Sequence, residues 1–124
     1  MHIYAFEKLD VWQLSRLFAK EIYEITNSFP SAEKYGLVSQ IRRASVSISS
    51  NIAEGSARGT FKDQAHFYQM SYGSLIEVLN QLIFATDLNF INDEILQKLR
   101  YQIDAIANKL NALRNACLKK SLTV

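Results

Sequence analysis

Apolar residues recur along the chain at alternating steps of three and four, the spacing that gathers side chains on one side of a helix. Val11, Leu14, Phe18, Ile22 and Ile25 keep that register and predict a first helix over about residues 9–28. Asn27-Ser28-Phe29-Pro30-Ser31 interrupts it, because proline suits only a helix's first turn and Ser31 can accept from the free amides of a new helix. A second helix over about 32–54 carries Leu37, Val38, Ile41, Ala44, Ile48 and Ile52, with Gly55 placed for a left-handed cap and Gly59 for a turn. Thr60-Phe61-Lys62-Asp63 has the spacing of a capping box. It opens a third helix over about 61–88, whose apolar row is Phe61, Ala65, Tyr68, Tyr72, Leu75, Leu79, Leu82 and Thr86. Asn92 is an N-cap for a fourth helix over about 93–119, where Leu96, Leu99, Ile103, Ile106, Leu110, Leu113 and Cys117 form the cleanest heptad in the chain.

Four amphipathic helices of similar length, joined by short loops, can cover one another only by turning back at each loop. The expected fold is therefore all-α, a single-domain antiparallel up-down-up-down bundle, left-handed with crossings of about 20°. Composition agrees: one proline and four glycines are too few for the turns of an all-β chain of 124 residues, and 48% hydrophobic against 21% charged residues is a globular balance.

Two faces exceed what one core needs. On the first helix Trp12, Ala19 and Tyr23 form a second apolar stripe around Arg16. On the third, Phe67, Ser74, Val78 and Ala85 form another, with Met70 and Phe84 leaving little of that helix polar. Such helices are buried on more than one side, either within the bundle or against a partner. Trp12, Tyr23, Phe67, Val78 and Phe84 are the candidate interface of a homo-oligomer.

A polar stripe borders the core of the second helix: Gln40, Arg43, Ser47, Asn51 and Glu54, with Arg42 on its other flank. Glu77 on the third helix is spaced to receive the Arg43 guanidinium, giving a structural cluster of Arg43, Ser47, Asn51, Glu54 and Glu77. The functional alternative is a phosphate contact by Arg42 or Arg43, joined at the following turn by Arg58 and Lys62. Charge supports nucleic-acid binding only weakly. The net charge is +2 and the pI near 8.7, although six Lys/Arg face one acid from Lys98 to Val124 while one Lys faces five acids from Phe61 to Gln97.

Catalytic chemistry finds little support. Asp63-x-x-His66 is a lone pair where di-metal bundles use two Glu-x-x-His motifs and further glutamates, and His2, the other histidine, sits in the tail. Cys117 continues an apolar row without a neighbouring base, and no Gly-rich loop is present to cradle phosphate. The expectation is a non-enzyme without cofactor or metal. A single cysteine, a start with neither basic nor apolar run, and the lack of about 20 uninterrupted apolar residues predict a cytoplasmic protein with no membrane role.

Phe6-x-x-Leu9-x-Val11-Trp12, Phe29-Pro30, Tyr35-Gly36-Leu37, Gln40-Ile41-Arg42-Arg43-Ala44, Val46-Ser47-Ile48, Asn51-Ile52-Ala53-Glu54-Gly55 and Gly73-Ser74-Leu75-x-Glu77 together carry a resemblance. The chain resembles, over almost its whole length, the four-helix-bundle proteins encoded in intervening sequences of bacterial large-subunit ribosomal RNA genes. Ser49 stands where that family commonly has proline. The resemblance implies a bundle that forms a ring, commonly a pentamer, with no known enzymatic activity. That family is similar in turn to the accessory variability proteins of diversity-generating retroelements, pentameric barrels that bind nucleic acid. The likeness implies RNA or DNA and a reverse transcriptase as partners, with Arg42, Arg43, Asn51, Glu54 and Glu77 as the positions concerned.

Overall fold

The computed structural model describes residues 1–123. Four α-helices and two 3₁₀ turns account for most of them: α1 Asp10–Thr26, α2 Leu37–Ser56, α3 Phe61–Asp87 and α4 Asp93–Leu122. Each helix packs against its two neighbours in the order α1, α2, α3, α4 and back to α1, with α1 against α4 the least extensive seam. Neighbours run antiparallel. Gly55 of α2 lies against Phe67 and Tyr68 of α3, whereas the Ile48 carbonyl, two turns earlier, meets Ser71. Asp10 and Glu21 of α1 likewise pair with Lys109 and Lys98 of α4. The chain is an all-α four-helix bundle, and no helix among the described residues is long and apolar enough to cross a membrane.

The expected rows supply the core. Phe18, Ile22, Ile41, Ile48, Ile52, Leu75, Leu82, Leu99, Ile106 and Leu110 are almost completely buried. Removing such a side chain by substitution to Ala costs about 2–5 kcal/mol in a well-packed core. Leu14, Ile25, Tyr72, Leu79 and Leu113, expected in the same rows, pack at its margin and remain partly exposed. Two expected caps form, with Thr60 Oγ1 accepting from the Asp63 amide at 3.1 Å and Asn92 Oδ1 from the Ile95 amide at 2.8 Å.

Two expectations at the ends of α2 fail. The helix starts at Leu37 rather than near residue 32, because Gly36 takes a non-helical backbone at φ −107°, ψ −110° and separates α2 from the 3₁₀ turn Ser31–Glu33. Glu33, not Ser31, reaches the new helix, its carboxylate accepting from the Leu37 amide at 3.3 Å. Gly55 is not a left-handed cap, since the described glycines all have negative φ. It is buried inside the last turn of α2, and a Cβ there would lie 2.9 Å from both Phe67 Cβ and the Tyr68 ring. The glycine permits a close helix crossing. At the other end of the chain, the 3₁₀ turn Ala5–Lys8 folds back so that Phe6 meets Trp12 edge-on, ring centroids 4.9 Å apart.

Candidate nucleic-acid interface

Arg42 lies in the second turn of α2, where it faces the C-terminal end of α1. Thr26 closes α1 by donating its hydroxyl to the Ile22 carbonyl at 2.7 Å, which leaves the hydroxyl oxygen free to accept. Arg42 Nε donates to that oxygen at 2.8 Å, and Nη2 donates to the Tyr23 carbonyl at 3.2 Å and Asn27 Oδ1 at 3.0 Å. The guanidinium also lies over the Tyr23 ring, 4.6 Å from its centroid. A cation at a helix C-terminus meets the negative end of the helix dipole, so Arg42 ties α1 to α2 while keeping its charge at the surface.

Arg43, the next residue, points elsewhere. It is exposed and takes part in none of the ion pairs or side-chain hydrogen bonds of the described residues. The ion pair expected with Glu77 does not form: the ion pairs there are Lys98–Glu21 at 3.1 Å and Lys109–Asp10 at 2.6 Å, both between α1 and α4. The rest of the polar stripe divides. Ser47 and Asn51 enter the α2–α3 seam, where Asn51 Nδ2 donates to the Ser47 carbonyl at 2.9 Å and to Ser47 Oγ at 3.0 Å. Ser74 Oγ donates to Ser47 Oγ at 3.0 Å and Ser71 Oγ to the Ile48 carbonyl at 2.7 Å, so small hydroxyls replace the expected salt bridge in holding α2 to α3. Glu54 and Glu77 are exposed.

A cleft of about 380 Å³ opens beside Arg42, lined by Tyr23, Lys34, Tyr35, Val38, Ser39, Arg42 and Arg43. Three cations and two phenols meet there without a carboxylate in the lining. Lys34 stands 5.4 Å above the ring of Tyr35, which is 88% exposed. The arrangement can neutralise phosphates and offer an aromatic face to a base, the two contributions that single-strand binding uses. Lys34 was not singled out by the sequence, and Tyr35 only as part of a family motif; the turn around Gly36 brings them to the two arginines.

Arg58 and Lys62 are not part of this cleft. They sit at the opposite end of α2, about 20 Å along the helix from Arg42. The Arg58 guanidinium lies 4.2 Å over the Phe67 ring, and Lys62 lines a separate cleft against the end of α4.

The candidate interface residues also part company. Val78 is fully buried between helices, so it does not form a partner contact. Trp12 is half-buried under Phe6 with Arg16 5.1 Å above its ring, and Phe67 is half-buried against Gly55. Tyr23 and Phe84 do reach the surface, Phe84 with 55% exposure. Exposed apolar side chains that the sequence reading missed include Leu17, Val46, Ile76, Ile83, Leu88 and Tyr101. Ile76 and Ile83, seven residues apart on α3, had the periodic signal that could have revealed them.

Two groups have shifted acidities. Burial, followed by the nearby Cys117 thiol, pushes the Tyr68 phenol up to about 12. Burial also raises Cys117, against the opposing pull of Lys120. Such a thiol is less available as thiolate, which fits a packing role beside Gln64, whose Oε1 accepts from Sγ at 3.5 Å.

No curated protein sequence matches the chain. A crystal structure of a protein of unknown function from the S23 ribosomal protein family of Bacteroides thetaiotaomicron superposes with a TM-score of 0.60, covering 88% of this chain and 95% of that one at 20% identity. That likeness concerns the fold. The profile of 23S rRNA-intervening sequence proteins matches residues 7–112, spanning all of α1 to α3 and most of α4. The chain belongs to the 23S rRNA-intervening sequence protein family.

Proposed function

We propose that the protein is a non-enzymatic, homo-oligomeric bundle, a pentamer by its family resemblance, that binds RNA or DNA through the Lys34–Arg42–Arg43 cleft. The observation that carries the binding reading is the meeting of three cations and two tyrosines with no carboxylate in the lining. Arg42 is fixed by three hydrogen bonds and supplies a preorganised charge, whereas Arg43 and Lys34 are free to close on a phosphate. Their loss should weaken binding without unfolding the bundle.

Titration of a single-stranded oligonucleotide at two salt concentrations tests this. Phosphate contacts make affinity fall as salt rises, and each lost contact lowers the logarithmic slope by roughly 0.7 for single strands. Arg43→Ala and Lys34→Ala should each weaken binding and flatten the slope by about that amount. Binding that is absent, or that both variants retain at full strength, overturns the assignment.

A purely protein-interaction role is the second reading, favoured by the exposed Leu17, Ile76, Ile83, Phe84 and Tyr101. Those same side chains support self-association. Light scattering separates the two: a species of 14.2 kDa at micromolar concentration would leave them for a different partner and reject the homo-oligomer.

A further inference from the structure

The two ends of the α3–α4 helix pair differ in charge and in shape. At one end, the start of α3 and the last turns of α4 enclose a cleft of about 590 Å³, lined by Gly59, Thr60, Phe61, Lys62, Gln64, Leu118, Ser121 and Leu122. Its walls are mostly apolar and its rim is basic: Lys62 lines it, Lys120 stands 5.4 Å over the Phe61 ring, and Lys119 is exposed in the same turn. No carboxylate of the described residues belongs to the lining.

The other end carries the opposite pattern. The turn between α3 and α4 presents Leu88, 42% exposed, among the exposed carboxylates of Asp87, Asp93 and Glu94. Lys98, the nearest cation along the chain, is paired with Glu21. The turn is held in shape. Asn89 takes φ 63°, the Phe90 amide donates to the Ala85 carbonyl at 2.9 Å, and Phe90 packs on Phe29 with centroids 5.3 Å apart. A leucine in an acidic collar therefore projects from a rigid base, and an apolar cleft with a basic rim lies at the far end of the same two helices.

We propose that the acidic α3–α4 turn of one copy docks into the basic cleft at the opposite end of a second copy. Because both features lie on the α3–α4 edge, a shift along the bundle axis by about 45 Å, the length of α4, brings them together. The contact is heterologous: a docked pair keeps one free turn and one free cleft, so the junction repeats end to end without closing a ring. Charge complementarity steers the approach and fixes the register, while Leu88 entering beside Phe61, Leu118 and Leu122 removes apolar surface from water. The inference goes beyond the closed oligomer proposed above, adding an end-to-end junction to the contacts that its exposed helix faces make.

Charge reversal tests the junction by sedimentation of the full chain at low and high salt. The parent should gain average mass with concentration at low salt and lose that gain at high salt. Lys119→Glu with Lys120→Glu, and separately Asp93→Lys with Glu94→Lys, should each abolish the gain while leaving helix content unchanged. Mixing the two variants should restore it, because each then offers the partner its complement at both ends. Leu88→Gln, which alters no charge, should also reduce the gain. If both reversed variants assemble as the parent does, this junction is wrong and self-association uses other surfaces. If the parent is a single chain at every concentration, the junction and the self-association reading fail together.

Discussion

Gly55 shows how a single residue type can carry opposite meanings. In the interior of an exposed helix, Gly→Ala gains up to about 1 kcal/mol because alanine loses less backbone freedom. At position 55 the added Cβ would come within 2.9 Å of Phe67 Cβ, part of a side chain with little room to retreat. Overpacking costs about 1–3 kcal/mol, so Gly55→Ala should lower the chemical-denaturation midpoint; an unchanged or raised midpoint would contradict the close crossing. A glycine near the end of a helical pattern suits a cap as well as a crossing, and one chain position gives no means of choosing.

Tyr68 yields a pH prediction at the same scale. Its phenol ionises near 10.0 when exposed but is pushed up to about 12 in the fold. Between those values the unfolded chain releases the proton and the folded chain retains it, so rising pH favours unfolding. The Tyr68 contribution to stability measured by denaturant should be constant below pH 10 and fall between about pH 10 and 12, on top of a loss from the raised Cys117 thiol that begins near pH 9.0. Tyr68→Phe should remove part of that fall; the same loss in both proteins would assign it to other groups. Neither Tyr68's packing beside Cys117 nor its raised acidity could be read from its place in an apolar row.

Among the elements, helix existence followed from period and helix ends only in part. Thr60 and Asn92 were legible as caps because a short polar side chain three residues before a free amide suffices. The start of α2 was not, since Gly36 and the 3₁₀ turn before it depend on Glu33 reaching forward. The N-terminal turn was missed for a related reason. Its geometry comes from Tyr4 and Gln13, with the Tyr4 amide donating to Glu7 Oε2 at 2.7 Å and Gln13 Nε2 to the Glu7 carbonyl at 2.9 Å. That turn explains why Trp12 is half-buried without a partner. As Trp12 is the chain's one tryptophan, Phe6→Ala should move the emission maximum to longer wavelength with helix content preserved. An unshifted spectrum would mean that Phe6 does not shield the indole.

The whole molecule distributes charge more unevenly than a net +2 suggests. The antiparallel order places the basic tail of α4 beside the start of α3, and the acidic α3–α4 turn at the opposite end. For assembly at this scale, the exposed isoleucines of α3 matter more than Val78. Ile83→Glu with Phe84→Glu should dissociate the proposed oligomer while leaving circular dichroism unchanged, whereas Val78→Glu should unfold the bundle. Light scattering and circular dichroism on both variants check the contrast; an intact oligomer in the double variant would remove the outer face of α3 from the interface.

The order of apolar and polar residues by itself determined that the chain makes four helices, which rows supply the core and which motifs mark its family, because helical period and local capping act within a few residues of one another. Only the tertiary structure decided what the polar residues do. It turned Arg42 onto the end of α1, left Arg43 without Glu77, buried Val78 and set Lys34 and Tyr35 beside two arginines. The reason is distance: a side chain's partners on another helix depend on crossing depth and rotation about the helix axis, and those are fixed by all the helices packing at once.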